Sequence, residues 1–243
     1  MSENKHIVLE LTEVSLSYHS ARKTFDRGRH HVLKDVSMQL YDGETLGIIG
    51  RNGVGKTTLL QLIAGILAPT RGQVKMHSGK CASLLTLGLG FKPDLSGRDN
   101  ALLSAMLQGS TRQQAISFLN DIKEFSELGD SFTEPVKNYS AGMRSRLAFT
   151  TALMTHVDVL LIDEILSVGD AHFRGKALTA MQSRITGEQT VVFVSHMADQ
   201  VEKMCDRVIW LEDGHIVAEG DPGEVTSAYA ESVARMNNDN VAK

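Results

Sequence analysis

Cysteine is scarce in this chain, with two residues in 243, Cys81 and Cys205. Neither belongs to a Cys-x-x-Cys pair or stands near a spaced pair of histidines. A disulfide framework and a structural zinc site are therefore not expected, and the usage suits a reducing compartment. A large excess of either charge is lacking too. Lysine and arginine number 25 against 29 acidic residues, a net charge of −4 with histidines neutral. That balance excludes a generally basic nucleic-acid coat, and no nucleic-acid partner is expected. No apolar run reaches the roughly 18 residues that a bilayer span needs. The nearest, Leu147 to Ile162, is interrupted by Thr150, Thr151, Thr155, His156 and Asp158. The opening residues, Met1-Ser2-Glu3-Asn4-Lys5-His6, show no apolar stretch followed by a small-residue cleavage site, so no secretory signal is expected. The expectation is a protein on the cytosolic side, with any membrane role borrowed from a partner.

What is present fits a globular chain. Hydrophobic residues make up 42%, enough for a sizeable core in one large domain or one domain with a subdomain. Strands are predicted at Ile7 to Tyr18 and Val36 to Leu40, separated by a stretch from Ala21 to His31 with Arg22, Lys23, Arg27 and Arg29. Thr45 to Ile49 reads as a short buried strand and Lys56 to Leu67 as a helix. Further strands are expected at 73–76, 82–87, 157–162, 190–195, 207–212 and 215–219. Helices are expected at 99–107, 111–125, 140–154, 171–186 and 197–204. Residues 92 to 138, followed by the helix at 140–154, look like a helical insert between α/β pieces. Strands alternating with helices imply a mainly parallel sheet with helices on its faces. The domain is expected to run from 1 to 231, with a loose tail from 232 to 243.

Two motifs carry chemistry. Gly50-Arg51-Asn52-Gly53-Val54-Gly55-Lys56-Thr57 fits G-x-x-x-x-G-K-[ST] between a predicted strand and a predicted helix. Glycines let the backbone curl so that several N–H groups face one concavity, and the helix brings its positive end to the same place. Lys56 adds a cation for the β- and γ-phosphates, and the Thr57 hydroxyl can ligate Mg²⁺. The expected nucleotide-binding residues here are Gly50, Asn52, Gly53, Gly55, Lys56, Thr57 and Thr58. Val159-Leu160-Leu161-Ile162-Asp163-Glu164 is a buried strand ending in two acids. It delivers Asp163 to the sheet's carboxyl edge as a second Mg²⁺ ligand, directly or through water, while Glu164 can orient or deprotonate an attacking water.

Tyr139-Ser140-Ala141-Gly142-Met143 lies between these motifs and resembles the LSGGQ signature of the ABC-transporter ATPases. Ser140 and Gly142 match; Tyr139, Ala141 and Met143 depart. The resemblance covers about residues 7 to 230. It implies an α/β P-loop NTPase fold of ABC type, with a RecA-like parallel-sheet core, an antiparallel β subdomain and a helical insert. It also implies that Ser140 and Gly142 face a γ-phosphate, that Ser167-Val168-Gly169-Asp170 is the D-loop, and that His196 is the switch histidine acting with Glu164 in catalysis. Tyr18 resembles the aromatic residue that stacks on adenine, with Phe25 as a competitor. The family usually carries a glutamine or glutamate before its helical insert. Here neither residue occurs between Val74 and Leu107, and the aligned position falls near Thr86 or Leu87.

Three stretches narrow the branch: Leu87-Gly88-Leu89-Gly90-Phe91 through Leu95-Ser96-Gly97-Arg98-Asp99-Asn100, then Tyr139 to Met143, then Asp163-Glu164-Ile165-Leu166-Ser167-Val168-Gly169-Asp170 followed by Phe173 and Lys176. They resemble the ATPases that export O-antigens, teichoic acids and some capsules, in a short form without a carbohydrate-binding domain. The resemblance implies ATP and Mg²⁺ as cofactors and a homodimer that sandwiches two ATP molecules. It implies two copies of a separate permease, a lipid-linked polysaccharide as cargo, and a place on the cytoplasmic face of the inner membrane. A different cargo such as a lipid or drug, or a soluble ABC ATPase without a transport role, are the alternatives. The basic residues at 22 to 29 can touch anionic phospholipid or a lipid-linked pyrophosphate, or form a solvated loop.

Overall fold

The computed structural model describes residues 6–19, 29–77, 79–163, 171–195 and 197–241. The chain forms two compact units. The first comprises Met1–Ala82, Val159–Glu164 and Ile185–Lys243; the second comprises Ser83–Asp158 and Ile165–Arg184. Among the described residues no helix is long and apolar enough to cross a membrane.

The first unit begins with two long strands, β1 (Ile7–His19) and β2 (Arg29–Tyr41). They pair antiparallel, and with β4 (Arg71–Met76) they form a three-stranded sheet of order β2-β1-β4. The second sheet contains β3 (Thr45–Ile49), β5 (Ala82–Leu84), β6 (Val159–Asp163), β7 (Thr190–Val194), β8 (Arg207–Glu212) and β9 (His215–Gly220), in the order β5-β6-β7-β3-β8-β9. β6, β7, β3 and β8 run parallel, and β9 returns antiparallel at the edge. β3 sits in the middle of these and all five of its residues are buried. That explains its unbroken apolar reading, because a strand covered on both faces shows no alternation. The helix α7 (Ala198–Met204) lies so close to β3 that a Cβ on Gly47 would stand 2.7 Å from a Val201 methyl.

Three boundaries differ from expectation. β2 starts at Arg29, seven residues before the predicted Val36. Val14 pairs with Val36 but Leu16 pairs with Leu33, so β2 carries an extra residue there and its alternation changes phase. The expected loose tail is corrected as well. Residues beyond Ser232 continue the helix α8 (Pro222–Val241). Tyr229 of α8 meets Trp210 of β8 edge to face at 5.6 Å. The helix α1 (Lys56–Ile63) stops earlier than the predicted Leu67, because Gly65 adopts a left-handed backbone just past its end.

The second unit is helical: α2 (Gly97–Leu107), α3 (Arg112–Ser117), α4 (Leu119–Ser126), α5 (Ala141–Met154) and α6 (Ala171–Ile185), the last passing its boundary by one residue. The single helix predicted over 111–125 is interrupted at Phe118, whose backbone stays helical. A core of Ala101, Leu119, Ile122, Leu128, Phe132, Val136, Tyr139 and Leu147 holds the helices together. Asn100 is fully buried and satisfied by the loop before it. Its amide donates to the carbonyls of Lys92, Leu95 and Ser96 at 2.9–3.1 Å and accepts from the Lys92 N–H at 2.6 Å. Phe173 of α6 is buried edge-on to Phe125 and Phe149, and Lys176 Nζ reaches Glu127 at 2.8 Å. That ammonium holds the Glu127 carboxyl below its ordinary pKa, chiefly through the hydrogen bond.

In the first unit, Arg207 fixes the edge of the sheet. Its guanidinium donates to both carboxylate oxygens of buried Glu44, at 2.7 and 2.9 Å, and to the Gln39 carbonyl at 2.6 Å. It also bonds Glu219 and lies over the Tyr41 ring. Breaking a buried pair leaves an uncompensated charge. Arg207→Met is expected to lower stability by about 3 kcal/mol, measured by urea unfolding of the full chain.

Candidate nucleotide site

The site begins where β3 ends. At Gly50 the backbone turns with φ at +149°, and a Cβ would stand 2.2 Å from the Leu211 carbonyl oxygen. Only glycine fits. At Gly55 φ is +107°, and a Cβ would press within 3.0 Å of the Val32 carbonyl and the Leu33 side chain. Gly55 is also the residue before α1, and no side chain caps the helix's first turn. The N–H groups there lack the Ser, Thr, Asp or Asn oxygen that most helices supply, so an anion can take that role.

Lys56 is buried and its ammonium spans the loop, donating to the carbonyls of Gly50 at 2.7 Å and Arg51 at 2.9 Å. Asp163 is the last residue of β6. It reaches the same sheet edge because β6 pairs with β7, and β7 with β3, all parallel. The Thr57 hydroxyl donates to the Asp163 carboxylate at 2.6 Å. Adjacent ligands of an octahedral Mg²⁺ stand about 3 Å apart. The pair therefore fits that ion with a few tenths of an ångström of opening, or with a water on the Asp163 side.

These groups line a cavity of about 740 Å³ together with Tyr18, His30, Val32, Asn52, Gly53, Gly55 and Thr58. Tyr18 thus reaches the same cavity as the phosphate loop. Phe25, its competitor in the sequence reading, lies outside the described residues, as do Glu164, Asp170 and His196. His30 was not anticipated. It falls in the stretch read as a break between strands, and the phase change in β2 hides it from any alternation pattern.

Ser140 and Gly142 belong to the second unit. Ser140 caps α5, accepting from the Met143 N–H at 3.1 Å. Ser140, Ala141 and Gly142 are exposed. A Cβ on Gly142 would meet nothing nearer than the Ser140 hydroxyl at 3.8 Å. The chain's own packing therefore does not require glycine at 142. The departure at Tyr139 has a local cause. Its ring is buried, its hydroxyl donates to the Ser131 carbonyl, and it fills the space that a Cβ on Gly97 would occupy. Burial raises the pKa of that hydroxyl. Thr86 and Leu87, near which the expected glutamine position falls, follow β5 and are half-buried.

The ABC transporter family model matches residues 33–167, the stretch that carries the phosphate loop, the Ser140 segment and β6. The chain belongs to the ABC transporter family. It is 43% identical over 213 residues to an O-antigen export system ATP-binding protein of Myxococcus xanthus, covering 88% of this chain and 48% of that protein. An O-antigen export system ATP-binding protein of Klebsiella pneumoniae is 40% identical, covering 86% of this chain and 85% of its own length. A teichoic acids export ATP-binding protein of Listeria innocua is 40% identical, with 84% and 61% covered. The chain thus spans from about half to most of the length of these relatives. The fold matches a dimeric ATP-binding cassette solved in a post-hydrolysis state with ADP and Pi, at a TM-score of 0.65 and 21% identity, covering 88% of this chain and 98% of that one. The α/β P-loop ATPase fold expected from the sequence is therefore the observed one.

Lys56 is the cation whose side chain reaches back across the loop, and an ammonium on a phosphate oxygen is a charge-assisted bond. Lys56→Ala is expected to weaken ATP binding at least about tenfold, read by fluorescence of a labelled ATP analogue, with the unfolded fraction checked by circular dichroism.

Proposed function

We propose that this chain is the ATP-hydrolysing subunit of an exporter of lipid-linked surface polysaccharide, and that it works as a pair of identical chains. The observation that carries the reading is the single cavity shared by Tyr18, Lys56, Thr57 and Asp163. It has a place for base, phosphates and metal in the first unit. Relatives that cover most of the chain are named for O-antigen and teichoic acid export, which supports the cargo class.

The chain's groups divide the work. The turn at Gly50–Gly55 and the start of α1 hold the phosphates through backbone N–H groups. Lys56 leaves its loop carbonyls for the β- and γ-phosphates. Thr57 and Asp163 would hold Mg²⁺, which when bound would neutralise charge on the phosphate oxygens. Glu164 follows Asp163 directly in the sequence, and its proposed role is to orient the attacking water or take its proton. His196 and Asp170 are assigned to the γ-phosphate by their motif positions in the sequence alone. Ser140 and Gly142 of the second copy close the site from outside, which accounts for an exposed glycine that intrachain packing does not require. Catalysis is then positioning and electrostatics.

A permease surface is supported by the second unit. Leu103, Met106 and Leu107 of α2 and Ile116 of α3 are exposed, Leu107 at 61%. Leu103, Met106 and Leu107 stand three and four residues apart, on one face of α2, and an exposed apolar face supports a contact site. The nearby loop held by Asn100 would carry motion to the membrane subunit as one rigid piece.

The experiment is Glu164→Gln with ATP, followed by size-exclusion chromatography with light scattering. The reading predicts a stable ATP-dependent dimer and hydrolysis reduced at least about a hundredfold. A variant that stays monomeric with saturating ATP, or hydrolyses at the wild-type rate, contradicts it.

A further inference from the structure

β1 and β2 place Tyr18 directly opposite His30. Opposed residues of an antiparallel pair share one face, with Cβ atoms about 5 Å apart. Both side chains line the cavity of the phosphate loop. Val32 lines it as well, and the Val32 carbonyl is within 3.0 Å of a Cβ built on Gly55. β2 thus offers Val32 beside Gly55 at the start of α1, and His30 beside Tyr18. That is the order in which a nucleotide bound at Gly55 to Thr58 would present its sugar and then its base. At the phosphate end Lys56 and the α1 N–H groups already serve.

We infer that His30 is a base-contacting residue, forming with Tyr18 a two-ring platform on which the nucleobase stacks. This rests on the reading of the cavity as the nucleotide site. Imidazole and phenol rings both serve as stacking surfaces for bases, and stacking tolerates base identity because every base has a π-face. The class of ligand follows: purine nucleoside triphosphates, preferred over pyrimidine ones for their larger ring, with little separation of adenine from guanine by this platform. A phosphate contact from the imidazole is the rival role.

The test is calorimetric binding of ATP, UTP and inorganic tripolyphosphate to the full chain and to its His30→Ala, His30→Phe and Lys56→Ala variants. Thermal unfolding of each variant is measured alongside. The expected result for His30→Ala is about tenfold weaker ATP binding, a smaller loss for UTP, and unchanged tripolyphosphate binding. His30→Phe should keep ATP affinity within about twofold, since a ring remains to stack on. Equal losses of ATP and tripolyphosphate in His30→Ala would move the histidine to the phosphates and overturn the inference. Unchanged ATP affinity, or no rescue by phenylalanine, would overturn it as well. If Lys56→Ala left both ATP and tripolyphosphate binding intact, the nucleotide reading of the cavity would fail first, and the His30 role with it.

Discussion

At Gly50 the chain passes so close to the Leu211 carbonyl that no side chain can be tolerated. β3 and β8 lie side by side there, with Ile49 registered on Trp210, so the approach is set by the central sheet itself. From that contact the backbone has one way to go. It turns through Gly53 and Gly55 in left-handed conformations, starts α1 without a side-chain cap, and leaves Lys56 reaching back across the loop. Everything the site can do with a phosphate depends on this turn. The sheet brings the remaining parts to it: Asp163 by two steps of parallel pairing, and Tyr18 and His30 by the antiparallel ribbon of β1 and β2.

The parts of the site differ in how plainly the sequence displays them. The phosphate loop is contiguous, and its glycines are required by backbone geometry, so Gly50 to Thr57 can be read directly. Asp163 is nearly as plain, because a strand buried on both faces announces its end with the first charge. Tyr18 needs the fold, since its neighbour across the ribbon is known only from the register. His30 needs still more: the extra residue in β2 shifts the alternation, and a histidine beside arginines looks like solvated loop. The end of the chain misleads for another reason. Asn237, Asn238 and Asn240 are weak helix formers, yet the helix begun at Pro222 continues through them to Val241.

Substitutions that depart from the family's usual signature have their own packing logic in the second unit. Tyr139 is large because Gly97 is small, and the two occupy one space. Phe173 and Lys176, quoted from the sequence as marks of an export branch, serve as fasteners of α6 to Phe125 and Glu127. Asn100 ties the preceding loop to α2 with four hydrogen bonds. Residues that identify the branch are thus also residues that stiffen the helical unit. A stiff unit transmits motion better than a soft one, which fits the proposed role of driving a partner subunit.

ATP turnover by this chain is proposed to drive a surface polysaccharide across the membrane. Deleting the gene and locating the polymer tests it most directly, with wild-type and Lys56→Ala copies returned on a plasmid. The account predicts a bare surface with lipid-linked polymer accumulating inside, reversed by the wild-type copy and not by the variant. A normal surface in the deletion strain, or restored export by Lys56→Ala, would contradict it.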